Sequence, residues 1–320
     1  MKAETQNIVF GPVPSRRLGQ SLGINNIPPK ICTYSCLYCQ VGRTTKLQTS
    51  RQAFWNPHEL VERVSRKCAA AKGNGLTLDF LTFVSDGEPT LDANLGKEIE
   101  LLRSLGIRIA VITNASLLMH PTVRADLARA DWVSVKVDSV DEATWRRVNR
   151  PHGTLHLDEI LAGIAAFALS FQGELVTETM LLRNINDHPE AIAAVADFLA
   201  QIGPVRSYLS IPTRPPAERE IAPPIAENLN RAYQMLSDRL ANVEYLIGYE
   251  GDAFASTGNV EDDLLSITSV HPMREDAVDG FLSQAKSDWS AVRMLIDQGR
   301  MEEVEYRGKR FYVRKIPRGE

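Results

Sequence analysis

Three of the chain's four cysteines fall within eight residues, in the run Cys32-Thr33-Tyr34-Ser35-Cys36-Leu37-Tyr38-Cys39. Their spacing is C-x3-C-x2-C. Thiols this close crowd one another and oxidise if they serve only as core, so the pattern points to metal binding or redox chemistry. Structural zinc takes four ligands, and no further Cys or His stands nearby at zinc-finger spacing. Iron–sulfur clusters are held by Cys thiolates, typically four. Three cysteines on a four-iron cube leave one iron without a protein ligand, a position that a bound molecule can fill. Cys68 stands apart, beside alanines on an expected helix, and reads as a buried structural thiol.

The elements that must position this loop follow an alternating rhythm. Apolar strands are expected at 21–25, 80–84, 107–112, 132–137, 175–182 and 207–211. Amphipathic helices are expected between and after them, at 56–72, 95–105, 122–129, 157–170, 189–202 and 225–240. Asn56, Pro57 and Glu59 supply a cap, an N1 proline and an N3 carboxylate for the first helix. Residues 1–31, rich in Pro and Gly, read as an irregular lead-in with one short strand. Six strand–helix units imply an α/β fold, a partial (β/α)6 barrel whose ligands sit at the C-terminal ends of the strands. After residue 260 come three short helices and a hairpin turning at Arg307-Gly308-Lys309, the order of a winged helix. The expected domains are 1–255 and 256–320.

Polar residues gather where the strands end. The run Ser85-Asp86-Gly87-Glu88-Pro89-Thr90-Leu91 follows the 80–84 strand, and exposed carbonyls there suit a cation. Asn114 ends the next strand. Ser134, Lys136 and Asp138 share one face of a buried parallel strand and its exit, which is costly unless that face meets a polar cavity. The alternative is a Lys136–Asp138 salt bridge at the strand mouth. Glu178 reads as pointing into the barrel. Arg150 and Arg214, on later loops, have the fork geometry that suits phosphate or carboxylate.

The cysteine spacing, with Tyr38 before the last thiol, resembles the radical S-adenosylmethionine (SAM) superfamily, and the Gly87-Glu88-Pro89 turn extends the likeness. The resemblance implies a [4Fe–4S] cluster on Cys32, Cys36 and Cys39, with SAM chelating the open iron. One electron then cleaves the sulfonium C–S bond, and the 5′-deoxyadenosyl radical abstracts hydrogen from a substrate. It further implies that Tyr38, Gly87, Glu88, Pro89, Asn114, Lys136 and Asp138 surround SAM, that Glu178, Arg150 and Arg214 face the substrate, and that a reducing protein such as flavodoxin or ferredoxin supplies the electron. A narrower likeness, to iron–sulfur oxidoreductases grouped with archaeal wyosine synthases, rests on Gly11-Pro12-Val13-Pro14-Ser15-Arg16-Arg17, Cys39-Gln40-Val41-Gly42-Arg43-Thr44, Asp86-Gly87-Glu88-Pro89-Thr90-Leu91 and Asn149-Arg150-Pro151. Wyosine synthases look to carry a second cysteine cluster near the N-terminus. This chain has no cysteine before Cys32, so the likeness stops short of their tRNA chemistry.

Charge narrows the partners. A net charge of -4 gives no global pull toward nucleic acid or membrane. Locally, positions 306–319 carry Arg307, Lys309, Arg310, Arg314, Lys315 and Arg318 with no acidic residue, a patch such as phosphate binding would need, so the tail reads as a nucleic-acid contact, a peptide or protein dock, or a purely structural lid. RNA and a peptide or protein are therefore the expected substrate classes. A non-catalytic iron–sulfur sensor that binds nucleic acid through the tail is the competing reading. No apolar run reaches the roughly 20 residues of a membrane span, and the N-terminus lacks a signal-peptide core, so a cytoplasmic protein is expected.

Overall fold

The computed structural model describes residues 8–247, 254, 256 and 259–315. It begins with β1 (Val9–Ser15), β2 (Gly19–Ile24) and the two-residue strands β3 (Ile31–Cys32) and β4 (Lys46–Leu47). There follow α1 (Pro57–Gly73), β5 (Phe80–Phe83), α2 (Leu95–Leu102), β6 (Arg108–Thr113), α3 (Pro121–Leu127), β7 (Trp132–Lys136), α4 (Glu142–Asn149) and α5 (Leu157–Ser170). Then come β8 (Glu174–Met180), α6 (Pro189–Ile202), β9 (Arg206–Ser210), α7 (Ala226–Ser237) and β10 (Val243–Leu246).

One curled sheet holds eight strands in the order β1-β2-β5-β6-β7-β8-β9-β10. It is the expected partial barrel, extended at both edges. Val243–Leu246 pairs parallel to β9 as a further strand. The lead-in is a strand rather than irregular chain: β1 pairs antiparallel with β2, with a shift of register between Phe10 and Val13. Its prolines are tolerated because β1 is an edge strand. The helix α4 was not anticipated either. Asp141 caps it by accepting from Thr144 N–H at 2.8 Å.

The main apolar core lies between the sheet and the helices, where Leu22, Leu81, Phe83, Val111, Val133, Val135 and Leu209 meet residues such as Leu60, Ile99, Ile164 and Leu199. On the concave side the strands alternate in the opposite register. Leu18, Phe80, Ala110, Trp132, Val176, Tyr208 and Leu246 form a smaller apolar floor. One pleat further along each strand stand Thr82, Ser134, Glu178 and Ser210, and then Lys136. The period-two alternation thus places a polar chamber above an apolar plug.

The tail folds as α8 (Val260–Val270), β11 (Met273–Arg274), α9 (Glu275–Gln284), α10 (Trp289–Asp297), β12 (Met301–Tyr306) and β13 (Lys309–Arg314), with a sheet ordered β11-β13-β12. It has its own apolar core, against which Val13 of β1 also packs. The expected boundary at 255–256 touches Ala255, which lies outside the described residues, as do Met1–Thr5 of the N-terminus and Arg318 of the basic patch.

Gly163 of α5 packs directly on the loop before α3. A Cβ there would lie 2.5 Å from the backbone of Leu118 and Met119. Gly163→Ala is expected to lower unfolding free energy by about 1–3 kcal/mol through overpacking, read as a lower urea midpoint at unchanged slope.

Candidate cluster and cofactor site

The cysteine loop is held by backbone on two sides. Lys30 N–H donates to the Asp86 carbonyl at 2.6 Å, and Glu88 N–H donates to the Ile31 carbonyl at 3.2 Å. These bonds join β3 to the turn after β5. Gly87 permits the contact: a Cβ there would lie 1.9 Å from the Ile31 oxygen. On the other side Leu37 N–H donates to Val148 O and Ser35 N–H to Asn149 O, both at 3.0 Å, at the end of α4. His152 N–H donates to Thr33 O at 2.9 Å.

Cys32, Cys36 and Cys39 line one cavity of about 330 Å³, together with Tyr38, Gly87, Lys136, Glu178 and Arg214. Among the sequence-predicted residues, Glu88, Pro89, Asn114, Asp138 and Arg150 are not part of its lining. Burial pushes all three thiols up, Cys36 to about 12. Asn114 Nδ2 stands 3.6 Å from Cys32 Sγ and Asn149 Nδ2 3.4 Å from Cys36 Sγ, each aiming a donor at sulfur. Thiols this costly to ionise alone become thiolates when a metal cation takes the proton's place. Three soft thiolate donors in one buried lining are the donor type that iron–sulfur clusters take.

Behind the lining, Glu88 works as a brace. Its carboxylate accepts from Thr90 N–H at 3.0 Å, the Thr90 and Thr113 hydroxyls at 2.6 Å each, and Asn114 N–H at 2.8 Å. Burial still raises its pKa despite these donors. Pro89 opens a one-turn 3-10 helix capped by that same carboxylate, and its carbonyl accepts from Asn26 Nδ2 at 3.2 Å. Asp138 accepts from the Tyr38 hydroxyl, from Asn149 Nδ2 at 2.8 Å and from Met180 N–H at 2.9 Å. Its carboxylate thus fixes Tyr38 and α4 from outside the cavity.

The alternative reading, a Lys136–Asp138 salt bridge, does not form: the ammonium pairs with Glu178. Lys136 pairs in register with Glu178 on the neighbouring strand, and both face inward. Lys136 Nζ lies 3.0 Å from Glu178 Oε1, Arg17 Nη1 lies 2.8 Å from Oε2, and the Ser210 hydroxyl donates to Oε1 at 3.0 Å. Burial alone would raise the Glu178 carboxyl, but Lys136 and Arg17 outweigh it and bring it down to about 2. Burial alone would lower Lys136, but Glu178 and Asp138 outweigh it and raise the ammonium. The Lys136 ammonium also sits 4.8 Å over the Tyr38 ring.

Two further groups were not anticipated as site residues. Asp86 is fully buried on the cavity wall and neither carboxylate oxygen receives a hydrogen bond among the described residues. Burial pushes it up to about 7, opposed by Lys30, whose Nζ lies 3.5 Å away. Lys30 follows the turn at Pro28-Pro29 and immediately precedes Ile31, a position whose side-chain direction depends on its φ of 63°. Arg150, by contrast, is half exposed and pairs with Glu218, which also binds Arg43 at 2.7 Å. Arg214 is buried between Gln40 and His271 of the tail. Cys68 on α1 is half-buried, and burial pushes it to about 11, as suits an inert thiol.

A model of the radical SAM superfamily matches residues 26–198, and the chain belongs to that superfamily. It is 46% identical over 311 residues to the UPF0026 protein MJ1312 of Methanocaldococcus jannaschii, covering 97% of this chain and 96% of that one. It is 37% identical over 216 residues to the UPF0026 protein slr1464 of Synechocystis, covering 67% of this chain and 78% of that one. A radical SAM methyltransferase from Sphaerobacter thermophilus shares the fold at a TM-score of 0.51 and 17% identity, covering 71% of this chain and 66% of that one. SuiB of Streptococcus suis, solved with S-adenosylmethionine bound, does so at 0.51 and 15%, covering 70% and 49%. The protein is a radical SAM enzyme, and its cofactors are a [4Fe–4S] cluster and SAM.

Gly87→Ala is expected to push β3 from the β5 turn, cutting iron content after anaerobic reconstitution several-fold while far-UV circular dichroism stays unchanged. Glu178 gives the second prediction. Its folded pKa is depressed, so its stabilisation is present above the unfolded carboxylate value of about 4.3 and fades as pH falls through about 2. In the cluster-free chain, the stability gap between wild type and Glu178→Gln is expected to be on the order of 3 kcal/mol at neutral pH. It should shrink between pH 5 and 2, as read by urea unfolding at each pH.

Proposed function

We propose that Cys32, Cys36 and Cys39 ligate three irons of the cluster, with SAM bound beside them in the same cavity. The observation that carries this reading is the convergence on one chamber of three buried thiols, the Gly87 turn and the buried Asp86 carboxylate, whose nearest cation is the Lys30 ammonium at 3.5 Å. When bound, cluster and SAM supply one-electron cleavage of the sulfonium bond and a 5′-deoxyadenosyl radical that takes hydrogen from the substrate.

The chain's own residues have distinct tasks. The backbone edge at Gly87 and Glu88, with Asp86 beside it, offers acceptors for the methionyl ammonium. Glu88, through its four donors, and Pro89, through the turn it opens, hold that edge still. Asn114 aims its amide at Cys32 and fixes Thr33 through a 2.8 Å bond to its hydroxyl. Asp138 and Asn149 set the Tyr38 ring against the chamber. Lys136 stays charged through Glu178 and balances negative charge beside the cluster. An electron enters from a reducing protein such as flavodoxin or ferredoxin.

The substrate we favour is a small charged molecule of nucleotide size rather than the RNA or peptide that strand β13 suggests by itself. Residues 259–315 carry eleven acidic side chains against nine basic ones. On the hairpin Glu305 stands opposite Arg310, Glu303 opposite Tyr312, and Arg310 also binds Glu275. A basic strand whose central Arg310 is paired, in a unit where acidic side chains outnumber basic ones, is a weak phosphate tracker, which counts equally against a nucleic-acid-binding sensor. Two relatives support the size: one 26% identical over 181 residues is named a probable GTP 3′,8-cyclase, and one 29% identical over 94 residues an S-adenosylmethionine-dependent nucleotide dehydratase. In this reading the C-terminal winged-helix-like unit roofs the chamber through His271.

Anaerobically reconstituted protein, reduced with SAM present, is expected to form 5′-deoxyadenosine. A Cys32/Cys36/Cys39→Ala triple variant should form none. Equal yields from the two proteins, measured by chromatography, would overturn the assignment.

A further inference from the structure

Arg214 is nine-tenths buried, and its guanidinium joins three parts of the molecule. It sits on the loop after β9. Its Nη1 donates to Gln40 Oε1 at 2.8 Å, and Gln40 directly follows Cys39. Its Nη2 stands 2.7 Å from His271 Nε2, at the C-terminal end of α8 in the tail. A guanidinium has no acceptor, so the imidazole must accept at Nε2 and carry its proton on Nδ1. Burial and then the charge of Arg214 both hold His271 neutral, in agreement with that geometry. His271 and Arg214 line the same cavity as the three thiols.

The tail is seated on the barrel by other contacts that do not reach the cysteine loop. Tyr306 hydroxyl donates to Pro212 O at 3.2 Å, Lys67 Nζ lies 2.9 Å from the buried Asp263, and Val13 packs into the tail's core. Arg214 differs from these because its two terminal nitrogens serve the tail and the loop together. A planar fork fixes the relative position of two acceptors in a way that a lysine point charge does not. Removing one acceptor leaves a buried cation under-satisfied, which costs more than a neutral hydrogen bond does.

We propose that Arg214 is a positioning residue that couples the seating of the C-terminal unit to the placement of the cysteine loop, so one contact both closes the chamber and holds the segment after Cys39. This revises the sequence reading of Arg214 as a substrate contact. It rests on the assignment of that loop as the cluster-bearing one, but its test reads backbone motion and is independent of that assignment.

The test is hydrogen–deuterium exchange on the full chain, both reconstituted and cluster-free, with peptides covering 36–44 and 259–315. In His271→Ala both regions are expected to exchange about fivefold faster or more. His271→Gln, which returns an acceptor near the Nε2 position, should restore the 36–44 region. Faster exchange in the tail with residues 36–44 unchanged would overturn the coupling, as would a folded His271→Gln that restores nothing. Should His271→Ala fail to fold, Arg214→Lys carries the same test: it keeps the charge but loses the fork, and unchanged exchange at 36–44 would again reject the proposal. If cluster formation fails in wild type while the coupled exchange is seen, the ligand assignment falls and the coupling stands.

Discussion

The backbone contact between β3 and the turn after β5 is the constraint on which the site depends. Two hydrogen bonds, Lys30 to Asp86 and Glu88 to Ile31, lay the start of the cysteine loop against Gly87. They form only because Gly87 has no Cβ. The loop's far side is then fixed by α4, whose last residues accept from Ser35 and Leu37. A loop of eight residues with three reactive thiols would otherwise sample many shapes, at an entropic cost of about 1–2 kcal/mol per ordered residue. The protein meets that cost with main-chain bonds, which are indifferent to the redox state of the sulfurs.

Around that contact, charge is arranged in separate compensated sets. Glu178 absorbs Arg17 and Lys136. Glu218 absorbs Arg43 and Arg150. Asp86 and Lys30 face each other at 3.5 Å without a hydrogen bond. This last set is the loosest of the three, and it lies with Cys39 and Gly87 on the chamber wall. Buried charges that are fully paired define shape, whereas a buried carboxylate lacking donors is the kind of group that a ligand satisfies.

The tail adds a third layer to the same logic. Its hairpin looks basic in linear order because the arginines and lysines cluster between positions 307 and 315. Folding sets Glu302, Glu303 and Glu305 on the adjoining strand and Glu275 on α9. Toward the barrel the tail turns His271 to Arg214, Tyr306 to Pro212 and Asp263 to Lys67, and the charge of Arg314 reaches Asp86.

The sequence by itself determined the chemistry and the scaffold. C-x3-C-x2-C spacing, Gly87-Glu88-Pro89 at a strand end and the strand–helix rhythm are local patterns, set by bond geometry and by the period of apolar residues. They were legible for that reason, as were the inward faces of Lys136 and Glu178. The tertiary structure decided which polar groups meet. Lys136 turned to Glu178 and not to Asp138 because strand register, which no single strand encodes, put them side by side. His271 came to the chamber from a position with no local mark of it, and β1 and β10 joined the sheet by pairing with their neighbours β2 and β9. His271 lies 57 residues beyond Arg214 in a separately packed unit, and only packing across that distance could bring the two into one hydrogen bond.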